Sequence, residues 1–131
     1  MAIAPDSTLL QSLQTEAPRW GYYLDTATDL TSARQQLLAQ IPDAIILDLD
    51  FPDPQNTGLT FLTQIKRLGS TPVLILTQQD TLSERITVAR LGAYVYLQKP
   101  AFVAKCLCRV ASVLGVHSSA NIFWVSLYTL C

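Results

Sequence analysis

The stretch Ala44-Ile45-Ile46-Leu47-Asp48-Leu49-Asp50-Phe51-Pro52 decides the architecture. Four apolar residues run without a break into a carboxylate, and a proline stands four residues beyond it. An unbroken apolar run is what a parallel strand shows when helices cover both of its faces. Val73-Leu74-Ile75-Leu76-Thr77, opened by Pro72, repeats the signature. Between the two, Pro52, Pro54 and Gly58 mark a loop, and Leu59, Leu62, Ile65 and Leu68 recur at helical spacing.

Working outward, strand and helix patterns alternate. Residues 1–4 read as a short first strand. Ser7 and Thr8 can cap a helix carrying Leu9, Leu10 and Leu13. Tyr22 to Ala27 reads as a second strand, and 29–40 as a helix with Leu30, Ala33, Leu37 and Leu38 on one face. After the strand ending at Thr77, Thr81 and Glu84 form a capping-box pattern for a fourth helix, which runs to about Leu91 and stops at Gly92. A fifth strand over 94–97 precedes Lys99-Pro100. A fifth helix carries Val103, Leu107, Val110 and Leu114 at three- and four-residue spacing. Five strands alternating with five helices predict a doubly wound α/β fold with a parallel sheet and right-handed crossovers. Ligands in such sheets bind beyond the carboxyl ends of the strands. Asp48, Thr77 and Lys99 all fall at such ends.

The 131 residues suit one domain, and half of them are apolar, enough for a core without staples. A net charge of −1 argues against direct nucleic-acid binding. The charges are uneven. No acid follows Glu84, whereas Arg85, Arg90, Lys99, Lys105 and Arg109 do. That third offers a basic face to a partner, or is simply a solvated surface. Three cysteines, Cys106, Cys108 and Cys131, with no signal peptide read at the start, argue against a disulfide framework. On a helix Cys106 and Cys108 point to different faces, and His117 has no acidic or cysteine partner nearby in sequence. No apolar run is long enough to span a bilayer. A cytoplasmic compartment with reduced thiols is expected. The expected division is a domain over 1–115 and an apolar extension over 116–131 containing Phe123, Trp124 and Tyr128. That extension is compatible with packing on the domain, with self-association, with a poorly ordered end, or with a non-native addition.

Three motifs in order now carry a resemblance. Ile46-Leu47-Asp48-Leu49-Asp50-Phe51-Pro52 resembles the phosphoacceptor segment of response regulator receiver domains. Val73-Leu74-Ile75-Leu76-Thr77 is similar to that family's fourth strand, and Gly92 to Pro100 to its fifth strand with the Lys-Pro pair. The resemblance implies a flavodoxin-like, receiver-type sheet of order 2-1-3-4-5. It implies that Asp48 is the phosphoacceptor. Thr77 and Lys99 would bind the phosphoryl group, with Tyr96 as the aromatic that moves with Thr77. A cis bond before Pro100 would aim Lys99. The chemistry suits the residues: a carboxylate attacking phosphorus forms an acyl phosphate, and cations and donors stabilise the transferring oxygens.

The family also holds Mg²⁺ with two adjacent acids at the end of strand one. Here that stretch is Ala2-Ile3-Ala4-Pro5-Asp6-Ser7, so the ligand set reduces to Asp6, Asp48 and the Asp50 backbone carbonyl. Thr57-Gly58 replaces the expected Asp-Gly pair in a loop longer by about two residues. The implied function is a receiver of a two-component phosphorelay. It would take its phosphoryl group from a histidine kinase or a phosphotransfer protein. Its output would be the face of the fourth helix, fifth strand and fifth helix, meeting a second copy or an output domain. The thinned acidic pair raises a phosphorylation-independent pseudo-receiver as the alternative. Asp48-Leu49-Asp50 also resembles the nucleophile motif of haloacid-dehalogenase-like phosphatases, whose second Asp is the general acid/base. Those enzymes need later carboxylates for Mg²⁺, and none follows Glu84.

Overall fold

The computed structural model describes residues 7–50, 58–78, 81–100, 103–114 and 123–128. In chain order these form α1 (Ser7–Glu16), a 3₁₀ turn (Ala17–Trp20), β1 (Tyr22–Ala27), α2 (Leu30–Ala39), β2 (Ala44–Asp48), α3 (Gly58–Leu68), β3 (Val73–Thr77), α4 (Leu82–Arg90), β4 (Val95–Gln98), α5 (Val103–Leu114) and β5 (Phe123–Tyr128). Local chemistry sets several boundaries. Asp29 caps α2, its Oδ1 accepting from the Ser32 N–H at 2.7 Å. Thr81 caps α4, its Oγ1 accepting from the Glu84 N–H at 3.1 Å. Beyond α4, Gly92 has φ +92°, a left-handed conformation that glycine adopts without steric cost.

The strands form one parallel sheet of order β1-β5-β2-β3-β4. Alternate residues of the two central runs feed opposite cores, as a period of two requires. Ala44, Ile46, Leu74 and Leu76 face a cluster with Leu10 and Leu13 of α1 and Cys106, Leu107 and Val110 of α5. Ile45, Leu47, Val73 and Ile75 face the other cluster, with Ala33 and Leu37 of α2, Phe61, Leu62 and Ile65 of α3, and Val88 of α4. Helices thus cover both faces, and the doubly wound five-stranded parallel sheet expected from the sequence is the one found.

One position is filled by an unexpected segment. The expected second strand sits at the edge, and the expected third, fourth and fifth follow in order on the far side. The place between them is held by β5, paired with β1 from Tyr22↔Phe123 to Ala27↔Tyr128 and with β2 from Ala44↔Val125 to Leu47↔Tyr128. Residues 1–4, expected to be the first strand, lie outside the described residues. Part of the apolar stretch beyond 116 is therefore an interior strand of the sheet.

Cys106 is buried and Cys108 exposed, as opposite helix faces predict. Burial pushes the Cys106 thiol up to about 11, so almost none of it is thiolate at neutral pH.

Val125 stands opposite both Leu24 and Ala44. Proline there removes a ladder donor from an interior strand. Val125→Pro is expected to cost roughly 3 kcal/mol in urea denaturation, the upper part of the usual range for one substitution. An unchanged midpoint would contradict the placement of β5. In thiol labelling of the native protein, Cys108→Ser is expected to remove one fast-reacting group and Cys106→Ser none.

Candidate functional site

The site is assembled by register. Asp48 ends β2 opposite Leu76, and Thr77 ends β3 opposite Gln98. The ladders continue one residue further. The Leu49 N–H donates to the Leu76 carbonyl at 2.9 Å, and the Lys99 N–H donates to the Thr77 carbonyl at 2.7 Å. These bonds fix where the side chains of Asp48, Thr77 and Lys99 leave the backbone. The Lys99-Pro100 peptide bond is cis.

Asp48 is 1% exposed and Thr77 fully buried, the two buried polar residues among those described. A lone buried carboxylate is costly, and such groups are found paired. The Lys99 Nζ lies 2.5 Å from Asp48 Oδ2 and 2.9 Å from Asp50 Oδ2, with the lysine side chain only 13% exposed. Asp48 Oδ1 accepts from the Asp50 N–H at 2.8 Å, an Asx-type contact that turns the chain directly after β2. Burial pushes the Asp48 carboxyl above the ordinary carboxylate range, with the Lys99 hydrogen bond pulling the other way. For Lys99, burial works against the charged form, but hydrogen bonds to Asp48 and Asp50 outweigh it and hold the ammonium above its ordinary value.

The Asp50 side chain is a full member of the cluster. Its Oδ2 also accepts from the Gln78 N–H at 2.9 Å, and its Oδ1 accepts from the Thr77 hydroxyl at 3.4 Å. The receiver resemblance assigned Asp50 only a backbone carbonyl, and its carboxylate entered only through the phosphatase motif. The one available signal was the two-residue spacing from Asp48, which reads as loop composition without the fold. Tyr96 is half-buried on β4, opposite Ile75. Its hydroxyl donates to Glu84 Oε1 at 2.8 Å, and the Arg85 guanidinium lies 5.2 Å from its ring centroid. Glu84, expected as the second half of a capping box, instead ties α4 to β4. Asp6 lies outside the described residues.

Comparisons with known proteins agree with the fold. The family described as the response regulator receiver domain matches residues 2–110. The transcriptional regulatory protein BasR of Escherichia coli is 37% identical over 120 residues, covering 91% of this chain and 53% of BasR. The response regulator MprA of Mycobacterium leprae is 31% identical, covering 87% of this chain and 50% of MprA. This chain thus spans about half the length of the curated relatives it matches. A putative response regulator from Chloroflexus aurantiacus, solved as a crystal structure, superposes with a TM-score of 0.72 at 28% identity, covering 88% of this chain and 95% of that one. The family match ends before β5, so the segment lying between β1 and β2 in the sheet is beyond the matched residues.

Receiver domains generally bind Mg²⁺ in an acidic pocket. Mg²⁺ takes oxygen ligands in near-octahedral geometry. Among the described residues no three His, Cys, Asp or Glu side chains gather as a metal site. The two carboxylates present, Asp48 and Asp50, both lie on the Lys99 ammonium. The described residues do not by themselves fit Mg²⁺.

A carboxyl held above its ordinary value costs stability as pH climbs from the ordinary carboxylate value through the raised one. Above that window the ionised Asp48 depends on Lys99. Lys99→Met is therefore expected to cost about 3 kcal/mol at neutral pH, as breaking a buried pair does. The loss should shrink as pH falls and Asp48 takes up a proton. Urea denaturation at neutral and mildly acidic pH measures both, and an equal loss at the two values would contradict the pairing.

Proposed function

This chain belongs to the response regulator receiver domain family, and on that footing we propose that Asp48 accepts a phosphoryl group and that the modified site switches a protein-binding surface. One observation carries the reading: a buried carboxylate at the end of the middle strand of the sheet, with an ammonium at 2.5 Å. The Asp48 carboxylate attacks phosphorus. An O–P bond forms, and the bond from phosphorus to the donor breaks, its electron pair leaving with the donor atom. The donor is a phosphohistidine of a histidine kinase or phosphotransfer protein. Lys99 offsets charge building on the transferring oxygens, and the Thr77 hydroxyl donates to one of them afterwards. The chain is the acceptor of one group rather than an enzyme of repeated turnover.

The output side has its own support. Thr77 and Asp50 join the site to the start of the β3–α4 connection through Gln78. Tyr96 joins β4 to α4 through Glu84. A rearranged Thr77 therefore bears on α4 and β4. The surface there exposes Leu82, Ile86 and Tyr94. Arg85, Arg90, Lys105 and Arg109 stand exposed on α4 and α5. An apolar surface set among bases suits a second copy or an output domain with acidic contacts.

Incubation with acetyl phosphate followed by intact-mass spectrometry tests the reading. One phosphoryl group is expected on the wild type, none on Asp48→Asn, and labelling about a hundredfold slower for Lys99→Met, as for loss of one charge-stabilising donor. Labelling of Asp48→Asn equal to wild type would overturn it.

A further inference from the structure

Asp50 holds the same donors that a phosphoryl group on Asp48 would need. Lys99 Nζ, the Thr77 hydroxyl and the Gln78 N–H all reach its carboxylate, at 2.9, 3.4 and 2.9 Å. An ammonium, a hydroxyl and a backbone amide around one anion make a mixed donor set of the kind that binds phosphoryl oxygens. The carboxylate is placed there by its own backbone, because its N–H is anchored on Asp48 Oδ1.

We propose that Asp50 is a resident anion of the acceptor site, occupying the Thr77, Gln78 and Lys99 donors in the unmodified protein and yielding them when Asp48 carries a phosphoryl group. This rests on Asp48 as the acceptor and adds a residue that sets how readily the acceptor is filled. Two costs fall on the incoming group. Its oxygens compete with a carboxylate already bonded, and its charge adds to that of Asp50. In return, the unmodified site keeps its donors engaged, and Thr77 stays tied to the segment leading into α4.

The test is binding of beryllofluoride, an acyl-phosphate mimic, followed by fluorine NMR with millimolar Mg²⁺ present. Wild type, Asp50→Asn and Asp50→Ala are compared, with circular dichroism to establish that each variant is folded. Asparagine keeps the shape and the Oδ1 acceptor but removes the charge. It is expected to tighten binding about tenfold, the value of one charge-assisted bond no longer opposed. Alanine, which frees all three donors, is expected to do so at least as much. The Gln78 amide resonance should shift in both variants. Binding by Asp50→Asn or Asp50→Ala but not by wild type would uphold the role of Asp50 and remove the wild-type acceptor reading. Equal or weaker binding by both variants than by a binding wild type would overturn the role of Asp50 and leave Asp48 as acceptor. Binding by none of the three would overturn both.

Discussion

A buried carboxylate facing a buried ammonium is the constraint around which this protein is arranged. Asp48 cannot be ionised in its pocket at low cost, and Lys99 is what makes the ionised form tolerable. Each is delivered by a different strand, so the pair exists only if β2, β3 and β4 hold their register. The sheet in turn is stable because helices on both sides bury its alternating residues. Fold and site are thus one problem. The apolar runs that let three strands lie side by side also bring their polar ends to one place.

That dependence extends to β5. An interior gap would leave β1 detached from the rest of the sheet and the backbone groups on one edge of β2 without ladder partners. Phe123–Tyr128 fills the gap, and its last residue lies opposite Leu47, one step before Asp48. The C-terminal apolar stretch therefore borders the site from the side opposite Thr77 and Lys99. Its residues are strand formers, with Phe, Trp, Val and Tyr in six positions. This is why they accept an interior place in the sheet.

Much of this was legible in the sequence. The runs 44–47 and 73–76 announced covered strands because buried parallel strands lose their alternation. Thr77 and Lys99 were legible as strand ends, and the fold rule for such ends put them together. Two features were not legible. A short apolar segment such as 123–128 carries no local mark of an interior strand, and only pairing across the whole sheet makes it one. The Asp50 carboxylate looked like a loop acid. Its bonds to Thr77, Gln78 and Lys99 span 27 to 49 positions of sequence, and no local pattern encodes them. Glu84 shows the same limit on a smaller scale: a capping-box spacing was present, yet a tyrosine hydroxyl twelve residues away took the carboxylate.

Covalent chemistry at the Asp48 carboxylate can be read directly. An acyl phosphate is reduced by borohydride, which converts the phosphorylated aspartate to homoserine. Peptide mapping of the phosphodonor-treated, borohydride-reduced protein should find homoserine at position 48 and aspartate unchanged at position 50. Homoserine at 50, or at neither position, would contradict it.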